Sequence, residues 1–362
     1  MNYNQTVRCS LVEVPSVTAI IPCRNERESI AQCVLSILGQ EMPNGGLEII
    51  VVDGFSDDGT PAILNKMAGE HPSLTVLVNP KRTMAAGVNI GIQAARGRYI
   101  AIMGAHNRYA SDYFRQSVQV LEETGADNVG GSMVCEGRSY VQKAIALAHH
   151  SGFAAGGGRW RNPNYEGPAE TVFGGVYRRE VFQQIGLLDE ELIRNQDDEF
   201  NLRLTQHGGR IWHSPRIRSW YNPRSSLKAL FQQHLQYGYW RVRVTQKRKA
   251  VASLRQIIPG LFVFLLLALP VAGLWSGLAG WAWIGLVAVY LFSSLSVSIM
   301  IGAREGWRYV FILPLVFACY QLGYGAGWLR GVIDFTVLQG ASAEAYSNLT
   351  RSSPSSDKKD VA

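Results

Sequence analysis

Residues 256 to 330 form an almost continuous apolar tract, and nothing else in the 362-residue chain limits its fold so sharply. The tract divides into three stretches, about 257 to 275, 280 to 301 and 309 to 329. Each is close to the roughly twenty residues that cross a bilayer core, and longer than a buried core helix needs to be. The hinge GLWSGLAGW between the first two is uncharged, whereas the link after the second holds Arg304, Glu305 and Arg308. Basic loops stay on the cytoplasmic side, so the hinge is expected outside and the link inside. Three spans would carry the C-terminal tail outside, yet that tail holds Arg330, Arg351, Lys358 and Lys359. The third stretch, interrupted by GYGAG, can instead lie in the interface or re-enter, which leaves the side of the tail open.

The formal charge of +7 raises nucleic acid as a partner, but the densest basic run lies immediately before the apolar tract. Arg241, Arg243, Lys247, Arg248, Lys249 and Arg255 are expected beside anionic headgroups as a juxtamembrane anchor, with a solvated helix face as the alternative. No segment resembles a nucleic-acid-binding module. The cysteines, Cys9, Cys23, Cys33, Cys135 and Cys319, make no Cys-x-x-Cys pair, so neither a zinc site nor a disulfide framework is expected. The N-terminal MNYNQTVRCSLVEV lacks an apolar secretory core, which predicts a first domain in the cytoplasm and an inner-membrane, multi-pass protein.

Before the tract, apolar runs alternate with helical spacing. VTAIIP ends at Pro22 and gives way to the amphipathic SIAQCVLSILGQ; LEIIVVD ends at Asp53, ahead of GFSDDGT and PAILNKMAGEH. LTVLVN, NIGIQAARG and RYIAIMG continue as strand, helix and strand. Alternation of this kind predicts an α/β domain with a mostly parallel, Rossmann-like sheet whose ligands bind at the carboxyl ends of the strands. The glycine-rich SGFAAGGGRWRNPNYEG is expected to be irregular, as a loop over an acceptor pocket or an ordinary surface connection. The organisation expected is an extension over 1–15, an α/β domain over 16–245, a basic linker over 246–256, membrane helices over 257–330 and a polar, partly disordered tail over 331–362.

Asp53 closes a buried strand, where a carboxylate can accept hydrogen bonds from a base or a ribose; a cap or turn role is the alternative. Asp58 with Gly59 reads as the turn former. TAIIPCRNE, EIIVVDGFSDDGT and NPKRTMAAGVNIGIQAARGRYIAIMGAH, in this order and spacing, resemble the nucleotide-binding half of family 2 glycosyltransferases, which have the GT-A fold. The resemblance covers roughly residues 15 to 245 and is nearest to the succinoglycan-biosynthesis type of glucosyltransferase. It implies a nucleotide pocket lined by Pro22, Asn25, Glu26 and Asp53, with Lys81 and Arg82 near a UDP-sugar donor.

The family's metal motif would fall on Gly104, Ala105 and His106, where a divalent cation, Mn2+ or Mg2+, would neutralise the leaving diphosphate. Gly104 departs from that motif, since it supplies no carboxylate. Three roles are open to His106: a metal ligand, a direct hydrogen-bond donor to the diphosphate, or a structural histidine.

RNQDDEFNLRL, residues 194 to 204, aligns with the family's catalytic segment. By that resemblance Asp197 is the general base, and Gln196, Asp198, Glu199 and Arg203 support it. Inversion in a single displacement needs one such carboxylate to take the proton of the attacking hydroxyl. An acid-rich helix start capped by Asn195 is the competing structural reading, and both can hold together. Gly174 and Gly175 fall in the acceptor-side segment, while Asp189 and Glu190 read as loop residues. Gln236 and Trp240 do not make the Gln-x-x-Arg-Trp of processive synthases.

The expected activity is therefore inverting, non-processive transfer of one hexose to a polyprenyl-linked saccharide at the membrane. A polyprenyl-phosphate acceptor and a catalytically lapsed donor-binding subunit are the alternatives.

Overall fold

The computed structural model describes residues 15–338 except 42–44, 132, 157 and 251–252, together with Tyr346. Nearly all of the N-terminal extension and most of the polar tail expected from sequence lie outside the described residues.

The first half repeats strand and helix: β1 (Val17–Cys23), α1 (Ile30–Leu38), β2 (Leu47–Asp53), α2 (Thr60–Glu70), β3 (Leu74–Val78), α3 (Met84–Ala94) and β4 (Tyr99–Ile102). β1 pairs with β2 and β4, and β2 with β3, all in parallel, so four carboxyl ends open along one edge. These strands are apolar at consecutive positions because helices cover both faces. Ile21 and Val51 pack on one side with Ile30, Val34 and Leu64, while Ile20 and Val52 pack on the other with Ala85 and Val88.

The chain continues through β5 (Asn107–Tyr109), α4 (Tyr113–Thr124), β6 (Asn128–Gly131), β7 (Met133–Cys135), α5 (Tyr140–His149), α6 (Gly152–Ala155), β8 (Gly167–Pro168), β9 (Phe173–Arg178), α7 (Glu180–Ile185), α8 (Gln196–Gln206), β10 (Ile211–His213) and β11 (Ser219–Tyr221). The main sheet runs β3-β2-β1-β4-β9-β6-β10-β8, and β5-β11-β7 form a small second sheet. β9 enters antiparallel to both β4 and β6, so the sheet is parallel in its first half and mixed in its second. The GT-A-type α/β architecture read from the sequence is the one observed. The glycine-rich passage is less irregular than expected. It holds α6, whose first turn is capped by Ser151 accepting from the Ala154 N–H, and a 3-10 turn over Arg159–Arg161.

The C-terminal part consists of α9 (Leu227–Arg248), α10 (Ile258–Gly273), α11 (Gly277–Glu305) and α12 (Leu313–Val332). Three membrane spans were expected; among the described residues only α11 is long and apolar enough to cross a membrane, and α10 is a shorter apolar helix. α12 is drawn instead against α9. A Cβ on Gly327 would lie 1.9 Å from the Leu235 carbonyl oxygen, one on Gly238 2.0 Å from that of Tyr324, and one on Gly323 2.9 Å from that of Phe231. Only glycine permits two backbones to approach so closely, and contacts that rise together along both helices make the pair parallel.

The expected domain boundary at residue 245 falls inside α9, which continues to Arg248. Most of the basic run is paired with acids. Arg241 pairs with Asp198, Arg243 and Lys247 with Glu191, Lys247 also with Asp189, Arg248 with Glu199, and Arg255 with Glu170. These ion pairs fasten α9 and its continuation to carboxylates of the α/β domain.

Candidate active site

The carboxyl ends of β1 and β2 are stitched into one surface by the polar residues that follow them. Asp53 is buried at the end of β2; the Ser56 hydroxyl donates to its Oδ1 at 2.5 Å and the Ser56 N–H to its Oδ2 at 3.1 Å. Ser56 Oγ in turn accepts from the Asn25 N–H at 2.8 Å, and Asn25 Oδ1 accepts from the Asp57 N–H at 3.0 Å. The Glu26 N–H donates to Thr60 Oγ1 at 3.0 Å, and Pro22 stands beside Val52 in register. Asp58 forms a turn bond, accepting from the Thr60 N–H at 3.0 Å ahead of Gly59 at the N-cap of α2.

Backbone conformation marks the same edge. Among the described residues five non-glycines have positive φ, and four of them are Asn25 (54°), Phe55 (57°), Arg82 (59°) and Asn195 (60°). They follow β1, β2 and β3 and precede α8. Such conformations persist only where the surroundings over-determine them, and they gather at functional sites. The exposed Arg82 guanidinium stands 5.5 Å from the Phe55 ring, while Lys81 Nζ reaches Glu190 at 2.6 Å. The loop after β3 is therefore tied both to the nucleotide-side loops and to the segment before α8.

At the position of the expected metal motif, the Gly104 N–H donates to the Tyr109 hydroxyl at 2.7 Å. A Cβ on Gly104 would lie 2.3 Å from Asn107 Nδ2, so a buried amide occupies the place where an aspartate side chain would begin. His106 Nδ1 is 3.2 Å from Glu26 Oε1, and Glu26 Oε2 accepts from Ser29 Oγ at 2.6 Å. Among the described residues no three His, Cys, Asp or Glu side chains converge to hold a metal. One imidazole and one carboxylate do not fit a metal held by the protein alone.

Asp197 lies in the first turn of α8 with its side chain exposed. Loss of hydration there, and then the charge of Asp198, push its carboxyl up to about 6; the Asp198 N–H, donating to Oδ1 at 2.9 Å, and Arg241 oppose the shift. Asp198 is held by the Arg241 guanidinium from α9. Asn195 does not cap the helix as expected: it stands at the N-cap without a side-chain cap bond, and its amide donates to the Tyr237 carbonyl at 2.9 Å. The Gln196 amide is turned against Met84 Sδ, at the start of α3, which joins this turn to the loop bearing Arg82.

The remaining expected residues separate by role. Glu199 is fully buried between Arg203 at 3.1 Å and Arg248 at 2.5 Å, and Arg203 also donates to the carbonyls of Ile185 and Leu187. This buried triad fixes α8 to the preceding loop. Gly174 has φ 61°, and its carbonyl accepts from the Tyr113 hydroxyl; a Cβ there would lie 2.5 Å from that oxygen. Gly175 similarly leaves space for Asn128 and Tyr177. Both glycines thus answer to packing around β9.

Sequence reasoning missed Ser56, Tyr109, Arg194, Gln236 and the pairing of Arg241. Ser56 follows Asp53 by three residues, a turn spacing that was legible. Arg194 Nε donates to Gln236 Oε1 at 3.0 Å, and with Tyr237 and Arg241 this makes one face of α9 a support for the turn at Asp197. The helical spacing of Gln236, Tyr237 and Arg241 was the available signal, but its target is distant in sequence.

The profile of Glycosyl transferase family 2 matches residues 18–186. The chain is 31% identical over 319 residues to the succinoglycan biosynthesis protein ExoA of Rhizobium meliloti, covering 87% of this chain and 94% of that protein. It is 27% identical over 327 residues to a dolichyl N-acetyl-alpha-D-glucosaminyl phosphate 3-beta-D-2,3-diacetamido-2,3-dideoxy-beta-D-glucuronosyltransferase of Methanococcus voltae, covering 88% and 97%. Among solved structures, the mannosyltransferase PcManGT of Pyrobaculum calidifontis, in complex with GDP-Man and Mn2+, superposes with a TM-score of 0.55 at 20% identity, covering 86% of this chain and 87% of that one.

Proposed function

Because the chain belongs to glycosyl transferase family 2, we propose that it transfers a single hexose, glucose from UDP-glucose, with inversion to a lipid-linked saccharide during exopolysaccharide assembly. The observation that carries this reading is Asp197, a carboxylate with a raised proton affinity in the first turn of α8, next to Gln196, which touches Met84 at the start of α3. In the proposed step an acceptor hydroxyl gives its proton to Asp197 as its oxygen attacks the anomeric carbon. The bond to the diphosphate breaks on the opposite face, so the configuration inverts without a covalent sugar intermediate. Asp53 and Asn25 hold the nucleoside, with Pro22 and Glu26 flanking them. Arg82 and His106 border the diphosphate.

Exposed apolar side chains on α10 and α11, among them Leu267, Trp275, Leu278, Trp281 and Phe292, support a membrane location and hence a lipid-borne acceptor. The relatives in succinoglycan and dolichyl-linked glycan synthesis support the same acceptor class.

Asp197→Asn tests the reading. Transfer should fall by about 10²–10⁴-fold or more while UDP affinity stays within a factor of about two. Retained turnover would remove Asp197 as base. Gly104, with Asn107 in place of an acidic side chain, favours a second reading, a donor-binding subunit that has lost transfer. Donor binding with background turnover in both Mn2+ and Mg2+, over a panel of lipid acceptors, would select it.

A further inference from the structure

The glycine-rich passage delivers an arginine to the place where the α/β domain meets the C-terminal helices. Arg161, in the 3-10 turn after α6, lies with its guanidinium carbon 4.5 Å from the Trp160 ring centre and Nη1 3.3 Å from His149 Nδ1. His149 Nδ1 is 3.4 Å from the Tyr320 hydroxyl of α12, and the His234 ring of α9 stacks 4.1 Å from the Tyr320 ring. On its other side the passage is fixed to the apolar helices: Phe153 packs 5.0 Å from Phe317 and 6.2 Å from Tyr290 of α11, and its carbonyl accepts from Gln321 at 2.7 Å. Arg161 thus sits among side chains of α5, α9 and α12, with Asp198 of the α8 turn within reach of its charge.

Its charge is not balanced from within. Among the described residues no carboxylate makes an ion pair with Arg161, and the acid it interacts with at longer range, Asp198, is taken by Arg241. A second guanidinium, Arg224, acts on the same histidine, His234. Burial first, and then the charge of Arg161, hold His149 and His234 well below the ordinary histidine range, so the neighbours are neutral. A part-buried guanidinium with neutral imidazoles and phenol hydroxyls around it is costly unless an anion is supplied. A planar guanidinium also matches phosphate oxygens two at a time.

We propose that Arg161, walled by Trp160, His149 and Tyr320, is an anion site that takes the phosphate or diphosphate joining the acceptor saccharide to its lipid. The site rests on the reading that the acceptor is lipid-borne, and it deepens that reading by assigning the group that anchors the acceptor. With the lipid chain leaving toward α11 and α12, the saccharide is directed toward Asp197.

The test uses the full chain in nanodiscs. Polyprenyl diphosphate is titrated into the wild type, Arg161→Gln and Arg161→Lys, with polyprenol as the uncharged control and UDP as the control for folding. The wild type should bind polyprenyl diphosphate in a salt-sensitive manner and polyprenol at least about tenfold more weakly; Arg161→Gln should lose about tenfold or more of that affinity, Arg161→Lys less, and both should retain UDP binding. Soluble pyrophosphate should compete, whereas replacing neutral nanodisc lipid by phosphatidylglycerol should not; competition by phosphatidylglycerol alone would make the site one for bulk headgroups and overturn the assignment. Equal binding of diphosphate and polyprenol, or unchanged affinity in Arg161→Gln, would also overturn it. Loss of transfer in every acceptor assay with this binding pattern intact would sink the proposed activity and leave the site standing.

Discussion

At the residue scale, Asp197, Asp198 and Arg241 decide when the proposed base is competent. Asp197 has its carboxyl raised from the ordinary aspartate range to about 6, chiefly by lost hydration and then by Asp198, with Arg241 pulling the other way. A base must be ionised, so transfer should decline as pH falls through about 6. Arg241→Gln removes the stabilising cation, and the acidic limb of kcat should move to higher pH; an unmoved limb would separate Asp197 from the titration. The same raised proton affinity means that the folded state binds more protons than the unfolded chain between roughly pH 4 and 6, so this group's contribution to stability declines as pH rises through that window. His106 carries a second test at this scale. If His106 holds a divalent ion together with the donor phosphates, Mn2+ should tighten UDP binding in the wild type and not in His106→Ala, measured by calorimetry. Absence of an Mn2+ effect in the parent leaves the hydrogen-bond and structural roles. Asp53 and Asp197 were legible because each closes or opens a regular element with a recognisable pattern. Arg241 was visible only as one charge in a basic run, since its partner lies 43 positions earlier.

At the scale of elements, the pair α9 and α12 transmits the membrane-side structure to the turn at Asp197. α9 supplies Gln236 to Arg194, the Tyr237 carbonyl to Asn195 and Arg241 to Asp198, so its position sets all three. α12 holds α9 through glycine contacts, and a methyl group on Gly327 would meet the Leu235 carbonyl at 1.9 Å. Gly327→Ala should therefore push the helices apart, with a loss of about 1–3 kcal/mol in stability and a lower kcat, read by thermal melting and turnover. Gly285→Ala on α11, where a Cβ meets nothing within 4 Å, is the matched control and should leave both nearly unchanged. The four parallel strands were readable because buried strands require unbroken apolar runs. The identity of α12 was not, because hydropathy scores GYGAG as apolar whether the glycines face lipid or another backbone. What distinguishes these cases is the spacing of Gly323, Gly327 and Gly331 on one helical face, which matters only once α9 is known to lie opposite.

At the scale of the whole molecule, this pairing bears on how many times the chain can cross a bilayer. α12 lies against α9 and contributes Val316, Phe317 and Tyr320 to a core shared with Ala144, Ile145 and Ala148 of α5, so it belongs with the α/β domain. α10 and α11 then form a hairpin whose two ends both return to that layer: Gly260 approaches Trp328, and Gly302 approaches Val310. α11, with 29 residues and a length of about 43 Å, exceeds a hydrocarbon core of about 30 Å; α10, with 16 residues and about 24 Å, must use the turn at Leu274 to Ser276 to reach across. Trp275 and Trp281 lie near the tip and Trp307 near the base, the levels at which aromatic side chains favour the two interfaces. If α10 and α11 cross as a hairpin, the chain returns to the side on which it began, and the segment after α12 should share a compartment with Asp197. A hairpin of this kind would keep Arg330 with Arg304 and Arg308 on the retained side, as the distribution of basic residues favours. In a cysteine-free background, Ser276→Cys should react with an impermeant maleimide added outside intact cells, whereas Ser355→Cys should react only after the membrane is opened. Labelling of Ser355→Cys from outside would require a third crossing, and α12 would then have to leave α9.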